Sequence, residues 1–184
     1  GFKPDFVMIK STSDEWWNIL DSKRDFNKRI YPNQTNTESG ASNYMTVTAT
    51  SFTITVTGND SLNNSGKNFI YWAIAKNVPS NTTLANSFNA VFYAGSSTDG
   101  RTISNFGFKP DLVWIKKLSA TDLHVLTDTV RGQNKQLFSN QSDAQSVSNT
   151  RITSFDTNGF TLDGTSSNRV NGSANSFIAW GWKA

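Results

Sequence analysis

The chain has 184 residues, 36% of them hydrophobic and 17% charged, with a formal net charge of +3. That is enough apolar material for one large core or two modest ones. The lack of cysteine excludes disulfides, thiol chemistry and Cys-based zinc sites. No apolar run approaches the ~18 residues of a spanning helix, the first residues do not read as a signal peptide, and the interleaved charges argue against a nucleic-acid footprint.

The opening decamer, GFKPDFVMIK, begins with a Lys-Pro-Asp turn, in which the proline fixes φ and biases Lys3 to extended geometry. Its apolar residues 6 to 9 are consecutive rather than alternating, which predicts a strand buried on both faces. The stretch STSDEWWNIL is polar around Trp16 and Trp17. Neighbours on a strand face opposite ways, so one of these indoles is expected at the surface, where it could stack on a sugar ring. Asp14 and Glu15, adjacent in the same stretch, point apart on a strand and do not form the facing carboxylates of a glycosidase. Asp21 and Arg24 are expected to form a local ion pair that pins a loop.

Residues 46–56, TVTATSFTITV, alternate with period two and predict short half-buried strands. The segment FIYWAIA, 69–75, is apolar on both faces and predicts a buried closing strand with Trp72 in the core. A polar stretch containing Pro79 follows. Phe88, Val91 and Tyr93 then mark one strand and residues 101–104 a second.

At residue 107 the chain repeats itself. GFKPDLVWIK matches the opening decamer at eight of ten positions. With one residue inserted, Asp21, Arg24, Asn27 and Lys28 align with Asp128, Arg131, Asn134 and Lys135. IYPNQT aligns with LFSNQS (137–142), SFTI (51–54) with GFTL (159–162), and NFIYWAIAK with SFIAWGWKA (176–184). Landmarks in constant order describe a duplicated unit. TDLHVLTDTVRG is short and rich in β-branched residues, so it reads as strand and turn, and no segment reads as a helix. Asp156-Thr-Asn-Gly159 reads as a hairpin turn.

The expected architecture is all-β: two tandem β-sandwich domains of jelly-roll or lectin-like type from an internal duplication. Residues 1–77 form the first repeat, 78–85 the linker and 86–184 the second repeat. Residues 88–104 have no counterpart ahead of Gly1, so the first repeat lacks its leading strand. Three remedies follow for the resulting open edge: a segment upstream of residue 1, a strand lent by a neighbouring subunit, or capture of 88–94 by the first repeat.

No residue is assigned a catalytic, cofactor or metal role, and ligand-binding residues are unknown. His124 is the only histidine and aligns with Trp17, which favours packing over proton transfer. Trp180 and Trp182, in the second closing strand, are expected in the core.

The pieces GFKPDFVMIK, ILDSKRDFNKRIYPNQTNTES and FIYWAIAKN, with GFKPDLVWIKK, ITSFDTNGFTL and FIAWGWKA, resemble a tandem-repeat domain of tail-fibre and other virion proteins of tailed, notably marine, bacteriophages. The resemblance implies a non-enzymatic virion structural protein in a tail fibre or similar appendage involved in host attachment. It implies location at the virion surface and no cofactor. The expected partners are further copies of the chain, other virion proteins and a host surface glycan, with no nucleic acid and no membrane insertion. A carbohydrate-binding module or bacterial surface adhesin repeat is the alternative, and a polysaccharide-degrading tailspike fragment the second alternative.

Overall fold

In the computed structural model, residues 1–40, 43–59, 61–75, 87–164 and 168–184 are described. The linker expected at 78–85 lies outside them, as do Lys76 and Asn77 at the end of the first expected repeat. The chain is all-β. Its first half contains β1 (Phe6–Ser11), β2 (Asn18–Asp21), β3 (Met45–Val47), β4 (Phe52–Ile54) and β5 (Phe69–Ile74). The second contains β6 (Phe88–Ala94), β7 (Arg101–Ile103), β8 (Leu112–Lys117), β9 (Val125–Asp128), β10 (Lys135–Gln136), β11 (Ser146–Val147), β12 (Ile152–Asp156), β13 (Gly159–Leu162) and β14 (Ser176–Trp182). A 3-10 turn at Ser22–Arg24 and one helical turn, α1 (Asn168–Asn171), are the departures from an expectation of no helix. Both are too short for sequence periodicity to register.

Three sheets carry the architecture: β2-β1-β5, β6-β14-β8-β9 and β12-β13-β7, with the hairpins β3–β4 and β10–β11 beside them. Three apolar clusters separate the layers. Val7, Ile9 and Leu20 pack with Tyr44, Met45 and Leu62 on one side of the first sheet. Val113, Ile115, Phe177 and Ala179 pack against Ile103, Ile152, Phe160 and Leu162. The third cluster lies between the halves, where Phe6, Ile19 and Ile30 meet Phe88, Ala90, Trp114, Ile178 and Trp180.

Strand periodicity explains why the apolar runs are continuous. In β1 the odd residues Val7 and Ile9 enter the outer core, while Phe6 and Met8 enter the middle one. In β14, Phe177 and Ala179 face one core and Ile178 and Trp180 the other. Burial on both faces therefore holds for β1, β8 and β14, because each half supplies a wall of the other's core.

The halves pair their strands in matching registers. β1 meets β5 antiparallel with Phe6 opposite Ile74 and Val7 opposite Ala73. β8 meets β14 with Leu112 opposite Trp182 and Val113 opposite Gly181. β1 meets β2 with Phe6 opposite Asp21, and β8 meets β9 with Leu112 opposite Asp128. The isolated bridges Ile19–Ile30 and Leu126–Leu137 keep the same offset. β6 pairs with β14 along its length, from Ser176–Ala94 to Trp182–Phe88. Capture of 88–94 by the first half is thereby overturned.

The expectation for β5 needs correction. Ile70, Tyr71 and Trp72 are 59%, 65% and 48% exposed, whereas Trp180 is fully buried. Trp72 is a rim residue that stacks on Trp182 and meets the edge of Phe6. Among the described residues, β5 has β1 on one side and no strand on the other, so the neighbour that buries β14 is missing.

Candidate functional site

The repeated Asp-Arg pair occupies two environments. The side chains of Asp21 and Arg24 are 0% and 3% exposed. Asp21 Oδ1 caps the 3-10 turn by accepting from the backbone of Lys23 at 3.0 Å and of Arg24 at 3.2 Å. Its Oδ2 accepts from Arg24 Nε at 2.8 Å and, across the junction of the halves, from Trp180 Nε1 at 3.1 Å. Every lone-pair direction of that carboxylate is occupied, so it offers no base or nucleophile. Asp128 and Arg131 form the same kind of pair, with guanidinium Nε and Nη2 both on Oδ2, at 19% and 25% exposure. Burial pushes the Asp128 carboxyl up, but hydrogen bonds from Arg131's backbone and guanidinium outweigh it and hold the group below the usual carboxylate range.

His124 is fully buried in the junction. Its Nδ1 accepts from Trp114 Nε1 at 2.9 Å, and its Nε2 lies 3.1 Å from the Tyr31 carbonyl. An indole nitrogen only donates, so Nδ1 is unprotonated and Nε2 carries the hydrogen. Burial, reinforced by the positive charge of Lys116, pushes the imidazole down to about 3. It is neutral at physiological pH with both nitrogens engaged, and its aligned partner Trp17 shares only the backbone contact. His124 N donates to Asn140 Oδ1 at 3.1 Å and Trp17 N to Asn33 Oδ1 at 3.2 Å. Nearby, Lys116 Nζ donates to the Thr35 and Asp122 carbonyls, each at 3.1 Å, and burial lowers it to about 8. These groups seal the junction.

Elsewhere, Glu15 pairs with Lys67 at 2.7 Å, and Asp156 is held by Ser154 and Thr161 hydroxyls, each at 2.7 Å. Asp156 stands opposite Gly159 across the expected hairpin turn. Trp16 is the exposed indole of its pair, 46% open, with its ring against Tyr31. Among the described residues no three His, Cys, Asp or Glu side chains gather as metal ligands.

Two surface features were not legible as sites in the sequence. The first is a polar pocket of about 210 Å³ formed by Asp122, Thr150, Arg151, Asn168 and Arg169. The guanidinium carbons of Arg151 and Arg169 sit 5.3 Å and 5.4 Å from the centroid of the Phe138 ring. Asp122 is already held by Lys117 at 2.6 Å and by Arg169 at 2.9 Å. Arg151 Nη1 is buried and has no hydrogen-bond partner among the described residues. Burial and the neighbouring Arg169 lower Arg151 to about 10, so it stays charged at neutral pH. Such a fork can take a carboxylate or phosphate. Its members come from three distant segments, so no local motif announces it.

The second feature is an open groove of about 470 Å³ beside β5, bounded by Phe2, Pro4, Phe52, Tyr71 and Ala73. In the second half the aligned positions are Phe108, Pro110, Phe160, Ala179 and Gly181, and there the space is taken by Phe106. That ring lies 6.1 Å from Phe108 and 5.7 Å from Phe160. It sits so close to Gly181 that a Cβ there would approach a ring carbon to 2.5 Å.

No curated protein and no solved structure matches the chain. A protein family does match, over residues 1–78 and 84–184, which is nearly the whole sequence and takes in both GFKPD turns, the paired registers and the open groove. The chain belongs to that family, described as a domain of unknown function (DUF7483).

Proposed function

We propose that this chain is a non-enzymatic structural component of a tailed-phage virion, in a tail fibre or similar appendage involved in host attachment. In this reading two copies of one β-sandwich unit, 1–77 and 86–184, stand back to back. The observation that carries it is the shared register: Val7 faces Ala73 as Val113 faces Gly181, and Phe6 faces Asp21 as Leu112 faces Asp128. What repeats in the two copies is scaffold — turn, strand register and the Asp-Arg clamp — and the motifs resemble those of virion appendage repeats. An exposed apolar strand on one unit suits a protein that works in an assembly with further copies or other virion proteins. The saturated Asp21 carboxylate and the locked imidazole of His124 support a structural role over polysaccharide cleavage. Localisation of the protein in intact particles by cryo-electron microscopy tests the proposal. Density for the folded chain in an appendage supports it; absence from purified particles, or turnover of a polysaccharide by the purified chain, refutes it.

The Arg151–Arg169 pocket on Phe138 favours a second reading, a glycan-binding module for acidic sugars, with the exposed Trp16 as a separate stacking surface. Calorimetric titration with uronic-acid oligosaccharides tests it. Binding that disappears in Arg151→Ala supports that reading, and no heat at millimolar sugar refutes it.

A further inference from the structure

The pocket around Arg151 holds more positive charge than its own residues use. Its carboxylate, Asp122, already accepts from Leu123 N at 2.8 Å, Lys117 Nζ at 2.6 Å and Arg169 Nε at 2.9 Å. Three of its four lone-pair directions are thereby spent, and one on Oδ2 remains. Arg151 gains nothing from it. Among the described residues its buried Nη1 has no partner and its guanidinium no ion pair, and Arg169, held through Nε, keeps its terminal nitrogens spare. Burial and the repulsion of Arg169 both act against the charge on Arg151. A partly buried guanidinium beside a like charge is costly until an anion completes it. The first half has no such surplus. With Trp17 aligned on His124, Glu15 aligns with Asp122 and is matched by Lys67 at 2.7 Å. The ring aligned with Phe138 is Tyr31, and the arginine over it, Arg29, donates to Ser39 Oγ at 3.1 Å and to Asn59 Oδ1 at 3.2 Å. The scaffold repeats in both halves, but the unspent guanidinium belongs to the second alone.

We infer that this pocket takes the carboxylate of a single uronic-acid residue, at the end or on a branch of a glycan, with one site per chain. A planar group with two oxygens matches the donor fork of Arg151 and the terminal nitrogens of Arg169. The hydroxyls beside a uronate carboxylate find acceptors in the same pocket: the remaining Oδ2 direction of Asp122 and the side-chain oxygens of Thr150 and Asn168. A phosphate or sulfate brings further anionic oxygens, which Asp122, an acceptor with no proton to give, opposes. An acidic peptide offers the carboxylate without the hydroxyls. The volume of about 210 Å³ lies below the ~300–1,000 Å³ of ordinary ligand pockets, so the site holds one ring and not a length of chain. This inference rests on the glycan-binding reading and narrows it to one group in one place.

The test is calorimetric titration with the methyl glycoside of glucuronic acid, beside glucose 6-sulfate, glucose 6-phosphate, glucose and a short oligoglutamate peptide. The glucuronide is expected to bind at one site per chain, and the other probes roughly tenfold more weakly or not at all. Arg151→Lys, which keeps the charge and loses the fork, should weaken glucuronide binding by about tenfold, and Arg151→Ala should abolish it. Because Arg151 spends no hydrogen bond on the fold, the melting temperature of ligand-free Arg151→Ala should equal or exceed that of the parent chain. A drop in that temperature with glucuronide binding retained would make Arg151 a packing residue and overturn the inference. So would two sites per chain, or sulfate, phosphate or oligoglutamate binding as tightly as the glucuronide. Uronic-acid oligosaccharides that bind while the monosaccharide does not also overturn it, and leave the glycan-binding reading standing. Absence of heat with every uronate sinks that reading as well.

Discussion

Trp180→Ala removes the side chain on which the junction of the halves turns. The indole is fully buried, edge-on to Phe6 at 5.9 Å and to Trp114 at 5.7 Å, with its N–H on the Asp21 carboxylate. Truncating a buried aromatic costs about 3–5 kcal/mol through lost transfer energy and the cavity left behind. Losing a hydrogen bond to a charged acceptor adds roughly 1.5–3 kcal/mol, partly offset if water enters the space. The total of about 4–6 kcal/mol is a large part of a typical domain's 5–15 kcal/mol. The melting temperature should fall by roughly 10–20 °C for a chain of this size. The decisive reading is where the loss is felt. Because Phe6, Ile19 and Ile30 share the core with Trp180, native-state exchange at Val7 and Leu20 should accelerate together with exchange at Val113 and Phe177. The expected factor is about a thousand for each 4 kcal/mol. If the first-half amides keep their wild-type rates while the second half unfolds, the halves are independent and the shared core contributes nothing to cooperativity.

Arg24→Ala strands a buried carboxylate and should cost about 3–5 kcal/mol, while Arg131→Ala at the aligned, partly exposed pair should cost no more than about 1 kcal/mol; equal urea midpoints for the two variants would contradict this. His124 has a folded pKa of about 3, below its unfolded value of ~6.5, so the unfolded chain takes up a proton between those values. Stability should be fully present above pH ~6.5 and fall on acidification by up to ~1.4 kcal/mol per pH unit, and urea titrations at pH 7, 5.5 and 4.5 should show a flatter acid limb in His124→Gln. Gly181→Ala drives a methyl group into the Phe106 ring and should cost about 1–3 kcal/mol, whereas Ala73→Gly at the aligned position should cost less than 1 kcal/mol by thermal melting. Asn171 joins Ser96 N, Thr98 O and Asp163 O, and its change to Ala should cost about 1–3 kcal/mol in urea, with faster exchange at Ser96.

The sequence made the strands legible because their apolar runs are continuous. FVMI and LVWI could be read as buried on both faces, and β1 and β8 prove to be so. The aligned segments NFIYWAIAK and SFIAWGWKA place Phe69 opposite Ser11 and Phe177 opposite Lys117, which are themselves aligned positions. Trp72 shows the limit. Its neighbours match those of Trp180, yet one indole is half exposed and the other sealed, because burial depends on β6, a strand some ninety residues from β14 in one half and missing from the described other half. The Asp-Arg pairs differ likewise: identical spacing gave one clamp a Trp180 donor and left the other near the surface. His124 could be assigned to packing from its alignment with Trp17, but its bond to Trp114 could not, since only the fold brings β8 and the loop before β9 together. The Arg151–Arg169 pocket lay beyond reach for that reason too.

The middle core also decides what happens when the polypeptide backbone is cut. Half of its wall is Phe6, Ile19 and Ile30; the other half includes Trp114, Ile178 and Trp180, with the Asp21–Trp180, His124–Tyr31 and Lys116–Thr35 contacts crossing between them. A nick between residues 75 and 87 breaks none of these. Each fragment alone would turn an apolar sheet face to water, so fragments 1–75 and 87–184 are natural complementation partners. Expressed together they should co-purify and recover tryptophan fluorescence like that of the uncut chain, and expressed singly they should aggregate. Co-purification would show that these contacts suffice to hold the two fragments together, and failure to co-purify would show that they do not.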